Sequence, residues 1–231
     1  MKPPVGRLHV ITDAVLQDRF SHVELARLAA AGGADTIQFR EKRPWTTRVL
    51  VEAAGAMRRA LDGLPVALIV DDHIDVAAAA GVPAVHLGRD DVDVRTARRV
   101  LGPHALIGGT ANSIEEALRV AATDVDYLGV GPVFGTRSKA NPAPALGVDG
   151  LRAIVAAVPK PVIAIGSVTA DRVGDLLEAG AHGVAASSWS VRRWRSRGST
   201  RGPWPAPSWT SCGRHGGYFQ GCTTWPWASC R

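Results

Sequence analysis

The stretch VALIVDDHIDVAAAAGVPAVHLGRDD, residues 66–91, decides the fold. Val66–Val70 is a short run of branched apolar residues, too short for a buried helix and well suited to a buried strand. It opens directly into Asp71-Asp72-His73. A second run, Ala84–Leu87, opens in the same way into Gly88-Arg89-Asp90-Asp91. Gly81 closes the alanine-rich stretch between them, as glycine does past the end of a helix. Strand, helix and strand within so few residues is the pattern of parallel neighbours joined by a crossover.

The same unit recurs in both directions. Further strand-like runs are Arg7–Thr12, Thr36–Phe39, Ala105–Ile107, Asp126–Gly129, Pro161–Ile165 and Gly183–Ala186. Helical periodicity fills His22–Ala31, Thr47–Leu61, Val94–Leu101, Ile114–Ala122 and Ala170–Ala179. Ser21 and Ser113 stand where helix N-caps are expected, and Gly32, Gly102 and Gly180 where helices stop. The alternation predicts an α/β fold with a parallel sheet covered by helices, either doubly wound or closed into a (β/α)₈ TIM barrel. Eight units without a composition break before residue 186 favour the barrel.

Active sites of such barrels lie where strands end and βα loops begin. Polar groups gather at these points: Gln38, Arg40 and Lys42 after the second strand, Asp71-Asp72-His73 after the third, and Arg89-Asp90-Asp91 after the fourth. Thr110 follows the fifth, Gly131–Lys139 the sixth, and Gly166-Ser167 the seventh. A period of two puts Gln38, Arg40 and Lys42 on one face, where two cations and an amide suit a polyanion such as pyrophosphate. Asp72 and Asp91 end neighbouring strands and suit Mg²⁺, which takes one or two carboxylates and keeps its waters. Helix capping is the competing role for aspartates here, and Asp71, Asp90 and Asp93 fit it better. Thr136, Ser138 and Lys139 give the sixth loop hydroxyls and a charge for phosphate oxygens. Gly166, with Ala186-Ser187 at the end of the eighth strand, falls at the usual phosphate site of these barrels. His9, His22, His104 and His182 lack ligand spacing and read as core or surface residues, and His73 and His86 near the mouth carry no assigned chemistry.

Charge divides the chain. Of 231 residues, 27 are Lys or Arg and 21 Asp or Glu, a net charge of +6. Seven arginines fall in residues 187–231, which hold no Asp, Glu or Lys, so residues 1–186 are close to neutral. Six of the seven tryptophans and all three cysteines also lie beyond residue 186. Residues 1–186 therefore form one expected catalytic domain, cysteine-free as befits the cytoplasm, with no apolar run long enough for a membrane span and no secretory signal.

Several motifs together resemble the thiamine phosphate synthase family: Gln38-Phe39-Arg40-Glu41-Lys42, Val85-His86-Leu87-Gly88-Arg89-Asp90-Asp91, Ile107-Gly108-Gly109-Thr110-Ala111-Asn112, Asp126–Phe134, Thr136-Arg137-Ser138-Lys139 and Ala164-Ile165-Gly166. The resemblance runs from residue 7 to about 186. It implies a (β/α)₈ barrel that joins a hydroxymethylpyrimidine diphosphate to a thiazole phosphate, releasing pyrophosphate. Carried over, Gln38, Arg40, Lys42, Asp71, Thr110, Thr136, Ser138 and Lys139 hold the pyrimidine diphosphate, with Arg40, Lys42 and Lys139 as its catalytic cations. Asp72 and Asp91 bind Mg²⁺. Gly166, Ala186 and Ser187 hold the thiazole phosphate. The family reaction breaks the C–O bond first and needs no general base. Asp71 stands where the family usually has Asn, and Ser167 replaces the second glycine of a usual pair.

The ending departs from the family. Residues 187–231 have no apolar periodicity where a final helix is expected, and a reading-frame shift near residue 187 accounts for the abrupt change of alphabet. Arg192–Arg201 with its Trp offers charge and stacking to nucleic acid, and Cys212, His215, Cys222 and Cys230 offer zinc ligands, but irregular spacing argues against both. A thiazole tautomerase of the same fold is the alternative enzyme. The Thr/Ser-Lys loop argues against it, as does Asn112 where its chemistry needs a histidine.

Overall fold

Val66–Val70 and Ala84–Leu87 do become neighbouring parallel strands, and the pairing continues until the sheet closes on itself. In the computed structural model, residues 2–14, 17, 19–136 and 143–187 are described. The strands are β1 (Leu8–Asp13), β2 (Thr36–Arg40), β3 (Ala67–Asp71), β4 (Ala84–Leu87), β5 (Leu106–Ala111), β6 (Tyr127–Val130), β7 (Val162–Ile165) and β8 (Gly183–Ser187). They form one closed barrel in sequence order, with β8 pairing β1 in parallel. The helices between them are α1 (His22–Ala31), α2 (Thr47–Ala60), α3 (Ile74–Ala80), α4 (Val94–Leu101), α5 (Ile114–Ala121), α6 (Gly147–Ala157) and α7 (Val173–Glu178). The fold is a (β/α)₈ barrel. No described helix is long and apolar enough to cross a membrane.

Local chemistry sets the helix ends. Ser21 closes a capping box on α1: the Glu24 amide donates to Ser21 Oγ at 3.2 Å and the Ser21 amide to Glu24 Oε2 at 2.8 Å. Asp93 caps α4 by accepting from the Thr96 amide at 3.0 Å, and Ser113 caps α5 through the Glu116 amide at 3.2 Å. Gly81 ends α3 in the left-handed region with φ 66°. The expected helix Ala170–Ala179 divides instead. Ala170–Arg172 forms a 3₁₀ turn, closed by the Arg172 amide on Thr169 O at 3.0 Å, and α7 follows. Thr169 supplies no side-chain cap, so the tighter i→i+3 bond takes over the first turn.

Strand β5 runs past its expected end at Ile107 through Gly108, Gly109 and Thr110. A Cβ at Gly108 would meet Tyr127 Cζ at 2.2 Å and His86 Nδ1 at 2.5 Å, and one at Gly109 would meet Val120 Cγ1 at 2.6 Å. The glycines are therefore strand residues that make room, not the loop they resemble in sequence.

Parallel register fixes which side chains face inward. His9 pairs with Thr36 and Ala185, Ile11 with Gln38, and Asp13 with Arg40. His86 pairs with Gly108, Gly108 with Tyr127, and Thr110 with Gly129. Branched apolar side chains usually fill a barrel lumen. Here it also contains His9, Gln38, Asp71, His86, Thr110 and Tyr127. The apolar core lies in the shell between strands and helices, where Val10, Leu25, Phe39, Met57, Leu128, Leu151, Leu176 and Val184 are all buried.

Candidate active site

The ends of β1–β4 bring acids and bases into one cluster. Gln38 and Arg40 point into the lumen and Lys42 follows them, while Phe39 and Glu41 turn outward. Glu41 is fixed there by two partners: His22 Nε2 at 3.1 Å, and Arg43, whose Nε lies 2.9 Å from Glu41 Oε2. These contacts, against the upward effect of burial, hold the Glu41 carboxyl down at about 2. With Glu41 anchored, the strand end presents Arg40 and Lys42 to the mouth. Arg40 pairs with Asp13 and lies 3.5 Å from Asp71 through Nε. Lys42 pairs with Asp72 and lies 3.7 Å from Asp71. Gln38 Nε2 donates to Asp71 Oδ1 at 2.5 Å.

The three carboxyls differ in state. Burial, reinforced by the Asp72 charge, pushes the Asp71 carboxyl up to about 7, against the pull of Lys42 and Arg40. Burial also works upward on Asp72, but the hydrogen bond and charge of Lys42 outweigh it and hold that carboxyl below its ordinary value. Burial raises Asp91, the Gly88 amide opposes it at 2.6 Å, and the nearby Asp72 charge adds to the rise. The Asp72 and Asp91 side chains face the same groove, close enough for the Asp72 charge to act on Asp91. Asp72 itself has φ 61°, a left-handed conformation uncommon outside glycine. The structure thus spends backbone strain to aim this carboxylate. A groove of about 440 Å³ beside the pair is lined by Asp72, His73, Asp75, Asp90 and Asp91.

A polar column continues below the cluster. Thr110 Oγ1 lies 2.9 Å from His86 Nε2, and His86 Nδ1 lies 3.0 Å from the Tyr127 hydroxyl. The Tyr127 ring meets His9 edge-on at 5.4 Å between centroids. Burial lowers the His9 pKa to about 3 and raises that of Tyr127.

On the opposite side, the loops after β6 and β7 are joined through backbone. The Val133 amide donates to Ile165 O at 2.8 Å and the Phe134 amide to Gly166 O at 3.3 Å. Gly166 has φ 105°, and a Cβ there would meet Pro132 Cα at 2.6 Å. Ser167 follows at φ 46°, so this serine occupies a backbone shape that glycine adopts without strain.

The structure brings Gln38, Arg40, Lys42, Asp71, Asp72 and Asp91 together as the spacing suggests. Asp71 does not cap a helix: it is buried at the end of β3, and His73 occupies the cap position of α3. Thr110 lies inside β5, not beyond it. Thr136 lies in the loop after β6 and Ser187 at the end of β8. Ala186 pairs with Val10 and turns its side chain to the helix layer, so that side chain does not reach a ligand at the mouth. Alternation along β8 is the reason. Arg89 pairs outward with Glu116 on α5. Ser138, Lys139 and residues 188–231, with the tail readings, lie outside the described residues. Sequence reasoning passed over Asp13, although it is the polar end of β1 in phase with the other strand ends. It also passed over His86 and Tyr127, whose inward direction is legible only from register, and over Arg172.

Known proteins share this fold and sequence. The profile of the thiamine monophosphate synthase family matches residues 8–189. The chain belongs to that family. A thiamine-phosphate synthase from Salinibacter ruber is 52% identical over 184 residues, covering 80% of this chain and 81% of that protein. One from Methanoculleus marisnigri is 46% identical over 181 residues, covering 78% and 85%. Among solved structures, a thiamine phosphate pyrophosphorylase from Pyrococcus furiosus superposes with a TM-score of 0.70 at 37% identity, over 79% of this chain and 85% of that one. In this chain, the charged cluster on β1–β4 and the backbone-built loops on β6–β7 fall on opposite sides of one mouth.

Proposed function

We propose that the chain is a thiamine-phosphate synthase, a transferase that joins hydroxymethylpyrimidine diphosphate to a thiazole phosphate and releases pyrophosphate. Family membership supports the reaction. The observation that carries it to these residues is the convergence of Arg40, Lys42, Asp72 and Asp91 at one barrel mouth.

The donor set fits Mg²⁺. Asp72 and Asp91 line one groove and the Asp72 charge pushes the Asp91 carboxyl up, a repulsion that a cation between them would relieve. No group of three or more acidic, His or Cys ligands occurs among the described residues. A hard cation that completes its shell with water and phosphate oxygens needs no third. Asp72 and Asp91 would hold the ion, and it would supply positive charge to the departing diphosphate.

The other residues act on the same charge. As the C–O bond to the pyrimidine methylene breaks, its electron pair leaves with pyrophosphate, and Arg40 and Lys42 are placed to exchange their carboxylate partners for its oxygens. Gln38 and Thr110 offer polar contacts at the lumen end. The thiazole nitrogen then supplies the pair for the new C–N bond. No proton has to move, and the half-buried His86 is engaged by Tyr127 and Thr110 and not held as a base. Holding both substrates in one mouth supplies the orientation that the second bond needs. The cysteine-free barrel suits a reducing cytoplasm.

Purified protein with both substrates and Mg²⁺ tests the reading. Thiamine phosphate and pyrophosphate are expected from the wild type and not from Asp91→Ala. Chelation should stop the reaction and added Mg²⁺ restore it. A folded wild type that forms no product under these conditions overturns the proposal.

A further inference from the structure

The cations of the charged half are already committed. Arg40 rests on Asp13 and Asp71, Lys42 on Asp71 and Asp72, and the outlying Arg89 on Glu116. Arg172 is different. It stands at the end of the 3₁₀ turn that follows β7, and its guanidinium meets no carboxylate among the described residues. Its Nη1 donates to Ser167 O at 3.3 Å, and its guanidinium carbon lies 4.3 Å from the centre of the Phe134 ring.

We propose that Arg172 binds the phosphate monoester of the thiazole substrate, with Phe134 as the platform that orients it. The inference rests on the synthase reading and adds a residue to it. The ring contact consumes none of the guanidinium's N–H donors, and of its five N–H groups the one on Nη1 goes to Ser167. That contact ties Arg172 to the Gly166-Ser167 turn, while Phe134 ties it to the loop after β6 through Gly166 O. The guanidinium is therefore fixed at the seam of the two loops, beside the positive-φ Gly166-Ser167 turn. A planar donor held in this way matches a dianionic phosphate, which it can bind through two parallel bonds. A neutral ligand would leave the charge uncompensated.

The test compares wild type, Arg172→Ala and Arg172→Lys as full-length chains. KM is measured for the pyrimidine diphosphate, for the thiazole phosphate and for the thiazole alcohol that lacks the phosphate. Arg172→Ala should raise KM for the thiazole phosphate about tenfold or more, and leave the pyrimidine diphosphate within about twofold. The alcohol should be used equally well by wild type and variant, and Arg172→Lys should recover part of the loss. Equal losses for both thiazoles, or for both substrates, mean that Arg172 only staples the loops, and overturn the proposal. Calorimetric titration with inorganic phosphate stands apart from turnover. If wild type makes no product, the synthase reading fails first. Weaker phosphate binding in Arg172→Ala than in wild type then still supports the subsite, whereas equal binding, or none by wild type, overturns it.

Discussion

The two sides of the barrel mouth are built from different materials. On β1–β4, polar side chains engage one another: Arg40 pairs with Asp13, Lys42 pairs with Asp72, and Gln38 donates to Asp71. On β6–β7, backbone and small residues do the work: Gly166 against Pro132, the Phe134 amide on Gly166 O, and Ser167 in a glycine-like conformation. The first side keeps its charges paired until a ligand replaces the partners. The second is shaped by close approach of main chain, with the guanidinium of Arg172 held against it by Ser167 and Phe134. Substitutions should therefore fail differently on the two sides, by lost charge on one and by lost shape on the other.

The largest effect is expected on the charged side. Asp91→Ala should lower kcat/KM by about 10³-fold with little change in melting temperature, because a partly exposed carboxyl at a loop contributes more to ligand charge than to folding. Comparable losses of stability and activity would erase the contrast. On the shaped side, Gly166→Ala should do the reverse. The added Cβ meets Pro132 in a positive-φ backbone, so Tm should drop by about 5–10 °C, and activity should fall with it. A variant that melts like wild type would show that the close approach is relaxed in solution. Asp13→Ala should weaken use of the pyrimidine diphosphate about tenfold by releasing Arg40, with Asp13→Asn intermediate, in steady-state assays. KM for the thiazole phosphate should stay put if the two sides are separable.

Acid should unfold the lumen beneath both sides. His9 is neutral in the fold down to about pH 3, against an ordinary value of 6.5. Between those values the unfolded chain takes up a proton that the folded chain refuses, so stability falls as pH falls, by up to about 1.4 kcal/mol per unit. Thermal melts from pH 7 to 4 should show this slope, and His9→Gln should flatten it. An unchanged slope would place the acid sensitivity elsewhere. The smallest effect belongs to Ser167→Gly. Relief of the φ 46° strain is partly offset by a more flexible unfolded chain, leaving a gain of about 1–2 °C.

How far the sequence was legible follows the same division. The barrel could be read from strand spacing alone, because eight apolar runs with polar ends leave few arrangements. The charged side was also legible: Gln38, Arg40 and Lys42 obey the strand period, and Asp72 and Asp91 end adjacent strands. Asp71 misled because a carboxylate after a strand usually caps the next helix, and only burial reveals its other role. Gly108 and Gly109 hid the true length of β5, because glycines weaken a strand pattern until the bulk of Tyr127 and His86 is placed beside them. Arg172 had no periodic signal, since it follows its strand through an irregular turn. Its meaning comes from Phe134, far away in sequence.

Gly108 carries one more consequence. The space of its missing side chain is filled by Tyr127 and His86, and a Cβ at Gly129 would crowd the same His86 ring at 2.9 Å. A lumen packed this closely does not admit bulk from within without displacing the column that ends at Thr110. Variation in what this barrel accepts is thereby confined to its rim. New specificities should arise from changes in the βα loops, and a substrate pocket enlarged or filled from the interior strands would come at the expense of the fold itself.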